Sequence, residues 1–207
     1  MEQKRTAIVA AARQTFLDSG YSQTSMDGIA ELAEVSVKTI YRHFDNKDEL
    51  FSAVMQAVCR DHEALPGERS VASLALIYPW FNDPSMQGLT AAGREYLDHV
   101  LSEEQLSLYR VVTRDAHRFP ELGRRYQTEV VDGRTEIFEK YISRSARMNR
   151  WKINGSRNAG SVFEALLRAG LFEEVLHGIK RVEGKDVIAR ARSVANVMWK
   201  LMQAGVL

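Results

Sequence analysis

The chain has 207 residues, of which 45% are hydrophobic and 27% charged, and its 28 Lys and Arg against 27 Asp and Glu leave a net charge of +1. That length carries one large or two small cores. No run of roughly eighteen apolar residues could cross a membrane, the start Met-Glu-Gln-Lys-Arg-Thr lacks a secretory leader, and the single Cys59 cannot close an internal disulfide, so a cytoplasmic setting is expected.

Helical periods run nearly end to end, with four prolines and no segment that reads as a strand, so the fold class is all-α. The first helix is expected over 4–19, with Ile8, Ala11, Ala12, Thr15 and Phe16 inward and Gly20 as its stop. A second helix carries Met26, Ile29, Ala30 and Ala33 at the spacing of one buried face, with Ser25 as its N-cap. Glu34-Val35-Ser36 forms a tight turn in which Ser36 caps the next helix. That third helix buries Ile40 and Phe44 and leaves Lys38, Thr39, Arg42 and His43 on other faces. Two short helices crossing at such a turn, the second rich in cations and hydroxyls, form a helix-turn-helix able to enter a major groove.

The run Val35-Ser36-x-x-Thr39-Ile40-Tyr41-x-His43-Phe44, continued by Asn46-Lys47-x-Glu49-Leu50, resembles the signature of the TetR family of one-component bacterial regulators. The stretch Phe16-x-x-x-Gly20-Tyr21-x-x-Thr24-Ser25 and the pair Ile29-Ala30 fit the same pattern. The resemblance covers about a quarter of the chain. It implies base and phosphate contacts from Val37, Lys38, Thr39, Tyr41, Arg42, His43 and Lys47, with Thr24 or Ser25 contributing. Chemistry agrees for most of them. Lys38 can donate to guanine, Val37 can touch a thymine methyl, and Tyr41, Thr39 and Lys47 suit phosphate oxygens. Arg42 also reads as a solvated helix charge, and Val37 and Tyr41 as packing against the first helix. Two positions depart from the pattern. Glu34 stands where relatives commonly carry glycine, at a residue that tends to the left-handed region, and Lys38 stands where many carry Gly, Thr or Pro. Net charge gives the reading no support, because residues 1–50 hold six Lys and Arg against eight Asp and Glu. Lys4 and Arg5 could reach DNA from an N-terminal arm, though a frayed terminus accounts for them as well.

Asn46 and Glu49 read as a capping box opening a fourth helix over about 47–64, with Leu50, Val54, Ala57 and Val58 on one face and Leu65-Pro66-Gly67 as its end. The domains are therefore drawn at 1–50 for DNA binding, with 47–64 as the connecting helix, and 51–207 for ligand binding and dimerisation. Further helices are expected over 68–81, 85–101, 103–118, 120–148, 158–179 and 185–204. The segment His117-Arg118-Phe119-Pro120-Glu121-Leu122 resembles one in AefR-like C-terminal domains of the same family. Arg144, Arg147, Arg150, Lys152 and Arg157 read as a basic solvated loop and its approach.

The last two helices are apolar on more than one face, which calls for burial on two sides. Val162, Leu166, Phe172, Val194, Met198 and Leu201 are the expected dimer contacts, since the resemblance implies pairing through a four-helix bundle; a monomer core is the alternative. The family resemblance also implies an inducer pocket, for which Trp80, Tyr96, His99, Tyr109, Arg114 and His117 are the candidates. The inducer is expected to be apolar or aromatic. No metal-ligand spacing, nucleophile motif or nucleotide loop occurs, so no cofactor, no metal and no enzymatic activity are expected. The expected function is a homodimeric repressor that binds a palindromic DNA operator and is released by a small-molecule inducer. A ligand-independent architectural DNA-binding protein, or a helical enzyme or carrier with a coincidental motif, are the rivals.

Overall fold

A computed structural model describes residues 2–59, 70–152 and 156–206. The expected helix end near residue 64, the break at 65–67, and the side chains of Cys59 and Arg157 lie outside the described residues. Among the described residues every regular element is helical.

The chain forms two compact units, residues 1–62 with 103–132 and residues 63–102 with 133–207. Packing thus groups 103–132 with the N-terminal helices, whereas the domain line drawn from sequence falls at residue 50.

The first unit holds α1 (Glu2–Ser19), α2 (Met26–Leu32), α3 (Val37–Tyr41), α4 (Lys47–Cys59), α7 (Glu103–Asp115), α8 (Pro120–Tyr126) and a π-helical turn, Gln127–Val131. Its local signals are the ones written in the sequence. The Ser25 hydroxyl accepts from the Gly28 N–H at 3.1 Å, and the Ser36 hydroxyl from the Thr39 N–H at 3.1 Å, closing the open amides at the starts of α2 and α3. Asn46 caps α4 by accepting from the Glu49 N–H at 2.9 Å, but the Glu49 carboxylate reaches back to the Asp45 N–H rather than to that of Asn46. Glu34 takes φ +53°, the left-handed backbone that its position in the turn demands. The core brings together Ile8, Ala12 and Phe16 of α1, Ile29 of α2, Ile40 of α3 and Leu50, Phe51, Val54 and Met55 of α4. Tyr21 is buried in an aromatic group, 5.7 Å from Phe16, 5.3 Å from Phe51 and 5.0 Å from Phe119 between ring centres.

The second unit holds α5 (Val71–Ile77), a 3₁₀ turn (Pro79–Asn82), α6 (Met86–Val100), α9 (Asp132–Met148), α10 (Ser156–Arg168), α11 (Leu171–Leu176) and α12 (Gly184–Gln203). Three expected helices are broken. The one over 68–81 stops at Tyr78, whose extended backbone is the conformation favoured before Pro79. The one over 158–179 divides at Gly170, which has φ +75°. The one over 120–148 contains the π turn. The interior is aromatic: Trp80 lies 5.0 Å from Tyr78, 6.0 Å from Phe138 and 5.1 Å from Tyr141, and Phe138 packs edge-on to Phe163 at 5.2 Å. No helix among the described residues is long and apolar enough to cross a membrane.

Candidate nucleic-acid interface

Helix α3 is fixed from beneath and open above. Ile40 and Phe44 are buried and Val35 is half-buried at the corner, while Lys38, Tyr41 and Arg42 are exposed and Val37, Thr39 and His43 half-exposed. Among the described residues neither Lys38 nor Arg42 has an ion-pair partner. The structure therefore brings Ser25, Val37, Lys38, Thr39, Tyr41, Arg42 and His43 onto the helix-turn-helix with accessible surface. Tyr41, half of its surface open, does not pack as a core residue. The Thr39 hydroxyl lies 2.8 Å from that of Ser36, so it is held rather than free to rotate. His43 turns its Nε2 into the protein, where it has no hydrogen-bond partner among the described residues.

Two of the expected contact residues sit otherwise. Thr24 is buried, and its hydroxyl donates to the Gly20 carbonyl at 2.7 Å and toward that of Thr15 at 3.3 Å; it ties the α1–α2 turn and offers no surface to a groove. Lys47 is half-buried with its ammonium 4.3 Å above the Tyr21 ring. Burial pulls its pKa down, against the fields of Asp115 and Asp48. Arg5, by contrast, is not on a frayed arm: it lies within α1 with its guanidinium 5.2 Å from the centre of the Phe44 ring, beside the end of α3.

The groups around Tyr21 form a network that sequence reading missed. The Tyr21 hydroxyl donates to Asp48, and Asp115 accepts from the Ser22 N–H at 3.1 Å and from Arg114 at 3.3 Å. Burial would push the Asp115 carboxyl up, but the hydrogen bonds from Arg114 and the Ser22 N–H, with the Arg114 charge, hold it below its ordinary range. Burial, reinforced by Asp48, pushes the Tyr21 phenol well above its usual value, and burial does the same to Tyr141 in the second unit. A group raised on folding stabilises the protein below its unfolded value, about pH 10 for tyrosine, and that contribution is lost as pH climbs toward the folded value. The double variant Tyr21→Phe/Tyr141→Phe should accordingly show a shallower fall of melting temperature above about pH 10 than the parent. Equal alkaline slopes by circular dichroism would contradict this.

The expected inducer residues divide between the units. Tyr109, Arg114 and His117 belong to the first, where Arg114 is committed to Ser19 and Asp115 and Tyr109 packs against Tyr126 at 6.3 Å. Trp80, Tyr96 and His99 are buried in the second. There they stand among polar groups that sequence reading passed over. Glu164 is buried and accepts from the Thr135 hydroxyl at 3.0 Å and the Tyr96 hydroxyl at 3.4 Å. Arg134, also buried, lies 5.7 Å from the Tyr96 ring centre, and the Trp80 indole N–H donates to Glu95 at 2.9 Å. Of the expected dimer residues, Phe172, Val194 and Met198 are buried within the chain's own core, while Val162, Leu166 and Leu201 keep partly open surface and Val197, one turn before Leu201 on α12, is exposed. Arg144 and Arg147 of the basic stretch lie on α9, not in a loop. Among the described residues no group of His, Cys, Asp and Glu could hold a metal ion.

Residues 8–54 match the profile of bacterial regulatory proteins of the tetR family, and residues 87–201 that of the AefR-like transcriptional repressor C-terminal domain. The chain is 32% identical over 106 residues to the HTH-type transcriptional regulator TtgR of Pseudomonas putida, covering 47% of this chain and 50% of that protein. It is 42% identical over 55 residues to the HTH-type transcriptional activator FasR of Mycolicibacterium smegmatis, covering 27% of this chain and 25% of that one. The matched stretches thus span only a quarter to a half of these relatives. Among solved structures, the Flavonoid-responsive Regulator FrrA shares the fold over 97% of both chains, with a TM-score of 0.77 and 21% identity.

Proposed function

From the premise that this chain belongs to the tetR family of bacterial regulatory proteins, and is thus a DNA-binding transcriptional regulator rather than an enzyme, we propose that it is a homodimeric repressor of a palindromic operator, released by a small aromatic effector. The observation that carries the reading is α3: a buried Ile40–Phe44 footing beneath an exposed Lys38, Tyr41 and Arg42 with no ion pair among the described residues. Lys38, Val37 and Thr39 lie in its first turn, the part of a recognition helix that meets base edges, and Tyr41, Arg42, His43 and Ser25 face phosphates. A two-fold dimer would place two such helices one duplex turn apart. Val162 and Leu166 on α10 with Val197 and Leu201 on α12 supply the apolar surface for that pairing.

The effector site is the buried group around Glu164. A buried carboxylate bonded to Tyr96, whose ring packs on Phe138 beside Trp80 and Phe163, suits a flat aromatic molecule bearing hydroxyl donors. Its long Tyr96 hydrogen bond is the link such a donor would most readily replace. That FrrA is described as flavonoid-responsive supports this ligand class. The repressor assignment follows the AefR-like C-terminal match.

Selection of duplexes from a random pool by the purified protein tests the DNA reading, with an inverted repeat as the expected product. Recovery of no preferred sequence would favour an architectural protein. Titration of hydroxylated aromatic compounds should then weaken binding to the selected duplex, and Glu164→Gln should blunt the response. Effector affinity unchanged by the duplex would refute release by linkage.

A further inference from the structure

Helix α7 grips α1 and α4 at several points within the first unit. Glu104 near its start pairs with Arg13, and the Gln105 amide donates to the Val58 carbonyl at 3.2 Å. At its other end Asp115, only 3% exposed, receives the Ser22 N–H of the α1–α2 loop. Its neighbour Arg114 donates to Asp115 and, at 3.0 Å, to the Ser19 carbonyl that ends α1. Two residues, Gly20 and Tyr21, lie between these anchor points. Gly20 takes φ +88°, and a Cβ built there would fall 1.0 Å from the Arg114 guanidinium. Directly beyond, Tyr21 carries the Lys47 ammonium on its face and donates to Asp48, so the first turn of α4 is bound into the same knot.

We propose that Asp115 is a positioning residue for DNA recognition, holding the α1–α2 loop to the end of α7 and thereby setting how α2 and α3 present their open face. The inference rests on the DNA reading above. A buried carboxylate is a costly way to fill a core, and an apolar side chain would do so more cheaply if packing were the only need. What the charge supplies is direction: it takes the Ser22 N–H of the α1–α2 loop and the Arg114 guanidinium of α7, and so closes the joint between them. Lys47 then belongs to the joint and not to the phosphate contacts. Its ammonium is turned onto the Tyr21 ring, so it releases no counterion when DNA binds.

The test uses the full chain, the duplex recovered by selection and a scrambled duplex of the same composition, with anisotropy measured across a range of salt. Asp115→Asn keeps an acceptor for Ser22 but loses the charge. It should weaken the selected duplex about tenfold or more, as expected for losing charge-assisted hydrogen bonds, while the scrambled duplex stays within about twofold and the salt slope is unchanged. Arg114→Gln alters a side chain that is largely exposed, so it keeps the fold even where Asp115→Asn does not. It should move selectivity the same way by about threefold. Lys47→Met should leave the salt slope as it was. Folded Asp115→Asn and Arg114→Gln proteins with parental selectivity would overturn the proposal, as would a slope reduced by about one in Lys47→Met, the mark of a lost phosphate contact. A parent chain that enriches no duplex would sink the DNA reading itself and this inference with it.

Discussion

Lys38→Ala is expected to weaken binding to the selected duplex by about tenfold to a hundredfold while leaving binding to a scrambled duplex nearly unchanged. The side chain is exposed, makes no ion pair among the described residues and lies in the first turn of α3, so its removal costs the fold little. Alanine is a better helix former than lysine, and the Ser36 cap that starts the helix is untouched. The loss falls on base readout, where one good donor pair is worth about 1–3 kcal/mol. Arg42 gives the contrast. If it is the phosphate contact proposed above, its replacement by glutamine should lower selected and scrambled affinity together and reduce the salt slope by about one. Anisotropy titrations of the two variants on both duplexes at several salt concentrations separate these patterns. Unaltered binding by Lys38→Ala would remove it from the contact set, and a uniform loss would make it a phosphate ligand.

How far the sequence carried this reading depended on the distance over which each feature is decided. The helix-turn-helix was legible because its determinants are local. Ser25 and Ser36 cap helices within three residues, Ile40 and Phe44 share a face by spacing alone, and the left-handed Glu34 follows from its place in the turn. The surroundings of Lys47 were hidden for the opposite reason. Its surroundings are Tyr21, twenty-six positions back, and Asp115, sixty-eight ahead, and no local pattern announces either. Glu164 and Arg134 were invisible for a related cause: charged residues inside amphipathic helices read as solvent-facing, and only the packed structure puts them indoors. Thr24 was a nearer miss. Its hydroxyl bonds one turn back to the Gly20 carbonyl, a short-range link that periodicity does not register. The helix breaks divide in the same way, since Tyr78 before Pro79 and the glycine at 170 are sequence signals, whereas the π turn at Gln127–Val131 has none.

The second unit hangs on a close approach that leaves room for hydrogen and nothing larger. A Cβ at Gly88 would lie 2.0 Å from the Asp83 carbonyl oxygen and 2.7 Å from the Tyr141 hydroxyl. These two atoms are themselves joined, the hydroxyl donating to the carbonyl at 2.7 Å, so neither can retreat without breaking that bond. Tyr141 cannot swing away either, because it is buried edge-on against Trp80. Gly88→Ala must therefore displace the backbone at Asp83, unseat the start of α6 from its Ser85 cap, or disturb the aromatic interior. Overpacking of this kind, with a buried hydrogen bond lost, costs on the order of 3 kcal/mol. In a chain of this size that lowers the melting temperature by about 6–12 °C. Gly184→Ala is the control. It is the first residue of α12, a Cβ there meets nothing, and alanine should be neutral or stabilising by up to about 1 kcal/mol through the unfolded chain. The expected order in a thermal melt is Gly184→Ala at or above the parent and Gly88→Ala far below it. Should Gly88→Ala melt with the parent, Asp83, Gly88 and Tyr141 would have to stand farther apart than this, and the aromatic side of the proposed effector site would need to be redrawn with them.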